Sequence, residues 1–157
     1  MSNSTIKEQS LSPTTSGNLQ IKPTNPELEP AELDERMWMA LAAAAEKKAI
    51  DRVVLDLREI ASFTDFFFIT SGANDRQVQA ISDEVYETLK KAGSTAARVE
   101  GYKTAEWILL DYGDFVVHVF EQKARNFYDL ERLWRESKRV ELPAGLFPDT
   151  SSLRRES

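Results

Sequence analysis

Residues 106 to 120 read EWILLDYGDFVVHVF and gather a tryptophan, two aspartates and the only histidine of the chain, His118. A lone histidine among valines is open to three roles: acid or base in catalysis, metal ligand, or polar side chain on a strand face. Nucleophilic catalysis finds no support, because no Ser stands in a recognisable elbow motif and Cys is absent. Asp111 and Asp114, together with Asp65 or Glu100, are a candidate oxygen cage for a hard cation such as magnesium. The simpler reading is that aspartates end hairpins because their side chains cap turns. FFITSGAND sets a glycine between a strand and a helix start, the general setting for an anion held on backbone amides. Neither GxGxxG nor GxxxxGK[ST] accompanies it, and a single glycine before a capped helix is common.

Composition narrows the classes further. The 157 residues suffice for one domain with a substantial core, and 41% hydrophobic with 29% charged residues is ordinary for a soluble globular chain. The formal net charge of -6 gives a field that repels phosphate backbones, which disfavours non-specific nucleic-acid binding while leaving room for a local basic patch. The lack of cysteine removes disulfides and thiolate metal sites, and one histidine leaves zinc almost no ligands. No cofactor or resident metal is expected. No apolar run approaches the roughly 20 residues that span a bilayer, and the N-terminus lacks the apolar centre of a secretory signal. It is Ser/Thr-rich without arginine, so the cytoplasm is the expected location.

The elements that must position these residues can be read from their periodicity. Residues 1–30, with four prolines, predict a disordered polar tail, residues 31–140 the folded domain, and residues 141–157 a flexible C-terminal tail in which Leu142, Leu146 and Phe147 are docking candidates. Leu33, Met37, Leu41, Ala44 and Ala45 follow helical spacing. DRVVLDL and TDFFFITS read as strands. Asn74 with Gln77 resembles a capping box that opens a second helix carrying the stripe Val78, Ile81, Val85 and Leu89, and Gly93 ends it. A strand at AARVE, a turn at GYKT, a hairpin over 106–119 and a short helix at NFYDLERLWRES follow. The pattern predicts an α/β (α+β) single domain on a mixed five-stranded sheet.

The hairpin tests its own register, since a one-residue slip would exchange the two faces. A loop at Tyr112-Gly113, or at Asp111 to Asp114, sets Leu110 opposite Phe115 and Ile108 opposite Val117 on a wholly apolar face. The other face then carries Trp107 opposite His118, Leu109 opposite Val116, and Asp111 opposite Asp114. A three-residue loop would mix the faces and is rejected. His118 beside Trp107 is first an ordinary cross-strand pair and second a binding-surface contact. Trp107 is either covered by a helix or left as an interface anchor, and the sequence leaves both open.

In order and spacing, DxxVLDL, TDFFFITSG, RQVQAI, EGY, WILLDYGDFVVHVF and R-NFYDLERLW closely resemble the Iojap family, the ribosomal silencing factors. The match runs over about residues 33–136. The resemblance implies a compact domain with a nucleotidyltransferase-like fold but no enzyme activity. Such an enzyme would show a D-x-D pair beyond the Ser71-Gly72 turn, whereas here Asp75 is followed by Arg76 and Gln77. It also implies binding to the large ribosomal subunit through its fourteenth protein, and steric exclusion of the small subunit that lowers translation when nutrients are short.

Onto this sequence the family motif carries Glu100, Gly101, Trp107, Asp111, Tyr112, Gly113, Asp114 and His118. The hairpin adds Leu109 and Val116 to the expected binding face, while Gly113, Thr64-Asp65 and Arg125 to Tyr128 read first as fold elements. Asn74 stands where a small hydroxyl residue is expected, and Ala105-Glu106 adds a charge at the patch edge. Nucleic acid is not expected as the main contact, and a homodimer through the same patch is a further expectation. The competing reading is a metal-dependent nucleotidyltransferase-like enzyme using Asp111 and Asp114.

Overall fold

The computed structural model describes residues 33–143. The polar N-terminal tail and the docking candidates Leu146 and Phe147 lie outside the described residues. The first helix, α1 (Glu35–Glu46), starts where the Asp34 carboxylate accepts a bond from the Arg36 amide at 2.8 Å. It buries Met37, Ala40, Leu41 and Ala44, the face that the helical spacing marks out. Strands β1 (Ile50–Asp56) and β2 (Phe66–Gly72) pair antiparallel. Helix α2 (Asp75–Lys91) is capped by Asn74, whose Oδ1 accepts from the Gln77 amide at 2.9 Å. The returning bond of this capping box goes to the Ala73 amide, 2.6 Å from Gln77 Oε1, one residue before the cap.

Strands β3 (Arg98–Glu100), β4 (Trp107–Asp111) and β5 (Phe115–Glu121) follow, then helices α3 (Gln122–Tyr128) and α4 (Leu130–Leu133) and strand β6 (Lys138–Arg139). The sheet runs β3-β4-β5-β2-β1-β6, with β2 and β5 parallel and every other pair antiparallel. Six strands stand where the sequence pattern predicts five. The sixth is a two-residue edge strand that pairs Lys138 and Arg139 with Asp56 and Leu55. No alternating apolar run announces it; its backbone partner makes it a strand. Beyond it, Val140 and Leu142 join the first core, which ties the start of the expected C-terminal tail to the domain.

The expected single helix at 126–137 is also corrected. Helical turns begin at Gln122, because Glu121 at the end of β5 accepts from the Lys123 and Ala124 amides and caps the chain as it leaves the sheet. They break at Asp129, which takes the left-handed conformation that aspartate tolerates better than most residues (φ 49°, ψ 52°).

The two faces of the sheet have different covers. Helices α1 and α2 close the first, where Phe68, Ile108, Leu110, Phe115, Val117 and Val119 meet the stripe Val78, Ile81, Val85 and Leu89. The second face presents Leu55, Phe67, Ile69, Val116 and Phe120 to Ala124 of α3 and Leu130 of α4. Those two short helices leave part of it open. Among the described residues no helix is long and apolar enough to cross a membrane.

Candidate partner-binding face

The hairpin keeps the predicted faces with a different register. Ile108 stands opposite Val119, Leu109 opposite His118, Leu110 opposite Val117 and Trp107 opposite Phe120, each partner two residues later than expected. A two-residue shift preserves alternation, so every side chain stays on its predicted side. The shift follows from the turn. Tyr112 donates its amide to the Phe115 carbonyl at 2.9 Å and stacks on the Phe115 ring at 5.1 Å, which moves the loop on to Gly113-Asp114. Asp111 Oδ1 accepts from the Gly113 amide at 2.9 Å, and Gly113 supplies the positive φ of 86°.

Trp107 is half-buried on the second face, held on three sides. Its ring stacks on Phe120 with centroids 4.9 Å apart, Tyr128 at the end of α3 leans on it at 5.0 Å, and its Nε1 donates to His118 Nδ1 at 3.0 Å. The two alternatives left open by the sequence are thus both partly realised: α3 covers one side of the indole and leaves the rest accessible.

His118 is 3% exposed and lies edge-on to Phe67 at 4.4 Å. Since Nδ1 accepts, the neutral ring carries its proton on Nε2, which is buried without a hydrogen-bond partner. Burial pushes its pKa down to about 3, against a small opposing pull from Asp111. At neutral pH it is an uncharged acceptor that fixes the indole, which answers the question the lone histidine raises.

The other motif residues are distributed around this centre. Leu109 is half-buried beside Trp107, and Val116 is buried under the same face. Exposed Glu100 on β3 is cross-strand from Leu109. Its carboxylate meets Arg98 at 2.9 Å, and Arg98 also reaches Asp111 at 3.4 Å, so one guanidinium lies between the two acids. Tyr112 belongs to the first core, where its hydroxyl has no partner and burial raises its pKa to about 12. Asp114 turns to α1 and pairs with Arg36 at 2.7 Å. Gly101 has φ 80°, and a Cβ there would overlap the carbonyl oxygen of Trp107. Asp111 and Asp114 therefore address different cations, and the described residues hold no group of three His, Asp or Glu side chains able to bind a metal.

Tyr128, read from sequence as a fold element, lies directly on Trp107. An aromatic row continues across the face through Phe67, Trp134 and Phe63, with centroids 5.6 to 6.1 Å apart. Phe127, Leu133 and Phe63 are 80%, 73% and 61% exposed, far more than a closed face would leave. Only the helix break at Asp129 reveals that these residues border Trp107, and no periodic pattern marks such a break.

Fold and face together define a small mixed-sheet α/β domain with one sealed side and one aromatic side half covered by its own short helices. Residues 30–157 match the family described as ribosomal silencing factor during starvation. The chain belongs to this family. A ribosomal silencing factor from Halalkalibacterium halodurans is 42% identical over 108 residues, which cover 69% of this chain and 92% of that protein. A crystal structure from Bacillus halodurans is similar with a TM-score of 0.62 at 42% identity, covering 69% of this chain and 98% of the other. The Mus musculus protein named mitochondrial assembly of ribosomal large subunit protein 1 is 27% identical over 155 residues, covering 88% of this chain and 67% of that one.

Proposed function

We propose that this protein docks on the large ribosomal subunit through its fourteenth protein and blocks the small subunit from joining, so that translation is repressed in the cytoplasm when nutrients are scarce. The observation that carries the reading is the family match over residues 30–157. The mouse relative, whose name refers to assembly of the ribosomal large subunit, supports the choice of subunit. Repression by exclusion needs affinity and bulk and no chemistry.

The docking face in this reading is centred on Trp107 and Leu109, with Tyr128 beside them and Glu100 and Asp111 at the rim. An indole already immobilised by stacking and a hydrogen bond loses little entropy on binding, which is how rigid aromatic anchors come to dominate interfaces. Arg98 partly offsets the rim acids, while the exposed Glu106 beside Trp107 restores a net negative edge suited to a basic ribosomal protein. Val116, His118, Tyr112 and Gly101 serve from behind: they set the position of the anchor and do not present surface. Asp114 holds the hairpin tip to α1 through Arg36.

The test is co-sedimentation with isolated large subunits, comparing wild type with Trp107→Ala and Tyr128→Ala after circular dichroism has shown both variants folded. Wild type should pellet and both variants should stay largely in the supernatant. Equal pelleting of all three proteins would overturn the choice of face, and a wild type that never pellets would overturn docking itself.

A further inference from the structure

On the far side of α3 from Trp107 lies an open cavity of about 800 Å³, bounded by the start of β1, the end of β2, α3, α4 and the edge strand β6. Its lining is unlike the rest of the surface. Arg52, Lys123, Arg125 and Arg139 border it against only two carboxylates, Asp51 and Glu131, which leaves a formal excess of two positive charges in a chain whose net charge is -6.

The Arg125 guanidinium is anchored in the cavity wall. It donates to the Asp51 carbonyl at 2.8 Å and to Ser71 Oγ at 2.9 Å, while its Nε lies 3.1 Å from Glu131. Arg139 reaches the other oxygen of Glu131 at 3.1 Å, so one carboxylate is shared between two arginines. Lys123 is exposed at the mouth, and the side-chain amides of Gln122 and Asn126 add polar lining. An excess of cations around a wide polar opening favours a ligand with several dispersed negative oxygens over a metal ion or an apolar peptide.

We propose that this cavity binds the phosphate backbone of RNA. The choice of RNA as the phosphate source rests on the ribosome-docking reading. Helix α3 connects the two sites: Tyr128 at its end touches Trp107, whereas Lys123 and Arg125 line the cavity. Its seven residues span roughly 10 Å, so a ribosomal surface that meets the indole comes within one short helix of these cations. The protein then makes two chemically different contacts from one side, an aromatic and acidic one to protein and a basic one to RNA.

The test uses the full chain and a labelled RNA duplex in fluorescence anisotropy, comparing wild type with Lys123→Glu/Arg139→Gln. Both substituted side chains are exposed, so the fold should survive. Wild type should bind at about 50 mM salt, and the variant should bind at least about tenfold more weakly, with a log affinity against log salt slope shallower by about 2. Equal affinity and slope in the two proteins would overturn the proposal. Displacement of the RNA by inorganic phosphate or ATP beyond what their ionic strength explains would assign the cavity to a small phosphate compound instead. Trp107→Ala should bind the duplex as wild type does. Loss of subunit docking with RNA binding intact therefore counts against the Trp107 face alone, and loss of RNA binding with docking intact counts against this site alone.

Discussion

His118 makes the stability of this domain sensitive to mild acid. In the folded protein burial holds its pKa near 3, whereas an unfolded chain offers the ordinary value of 6.5. Below 6.5 the unfolded state takes up a proton that the folded state refuses, so stability is complete above that pH and falls as the pH drops towards 3. The slope approaches about 1.4 kcal/mol per pH unit, and the full interval amounts to a loss on the order of 4 to 5 kcal/mol.

Between about pH 6 and pH 4.5 the expected loss from this group is about 2 kcal/mol. Asp34 and Asp56 also have lowered values, because arginines Arg36 and Arg58 bond to them against the cost of their burial, but they act from 3.8 downward. Urea unfolding followed by tryptophan fluorescence at a series of pH values measures the slope. His118→Asn retains an acceptor near the Nδ1 position and His118→Phe retains the ring; neither can titrate, and both should flatten the profile relative to wild type. The two differ at neutral pH, where the phenylalanine leaves the Trp107 N–H without its acceptor, at a cost of about 1 to 3 kcal/mol if water cannot reach it. A wild-type profile that is flat over this range, or the same slope in both variants, would refute the burial argument.

Two further outcomes follow from the packing. Gly101→Ala should destabilise by at least about 2 kcal/mol, since it combines a left-handed backbone with a clash against the Trp107 carbonyl, and subunit docking should weaken in parallel; unchanged urea midpoints would show that the turn at 101 relaxes freely. Tyr112→Phe removes a buried hydroxyl that has no partner, so thermal unfolding should show no loss and a gain of up to about 1 kcal/mol; a marked loss would reveal a bond made by that hydroxyl in solution.

What the sequence disclosed and what it withheld separate along one physical line. Side-chain alternation fixes faces, so the allocation of Ile108, Leu110, Phe115 and Val117 to one core and Trp107, Leu109, Val116 and His118 to the other side follows from pattern alone. Register depends on the turn, where the Asp111 side chain and the stacking of Tyr112 on Phe115 outweigh the simpler Tyr112-Gly113 loop. Caps were legible because they are local: Asn74 and Gln77 are three residues apart. The β6 edge strand and the Asp129 break were not, because neither is specified by its own neighbours. Backbone pairing to β1 makes the first, and the packing of α3 and α4 on the sheet accommodates the second.

The same distinction explains why family resemblance marks residues that do different work. Gly101, Tyr112, Asp114 and His118 lie in the motif with Trp107, yet each acts inward: one clears the indole's carbonyl, one packs the opposite core, one pairs with α1 and one orients the ring. A binding anchor that must be rigid imposes requirements on its supports as strict as those on itself. Substituting a support should therefore reduce docking through the position of Trp107, and His118→Asn, which retains an acceptor for the indole N–H, should retain more docking than His118→Phe. If the two variants dock equally well when equally folded, the hydrogen bond contributes nothing to the surface and stacking between Phe120 and Tyr128 is sufficient to hold the anchor.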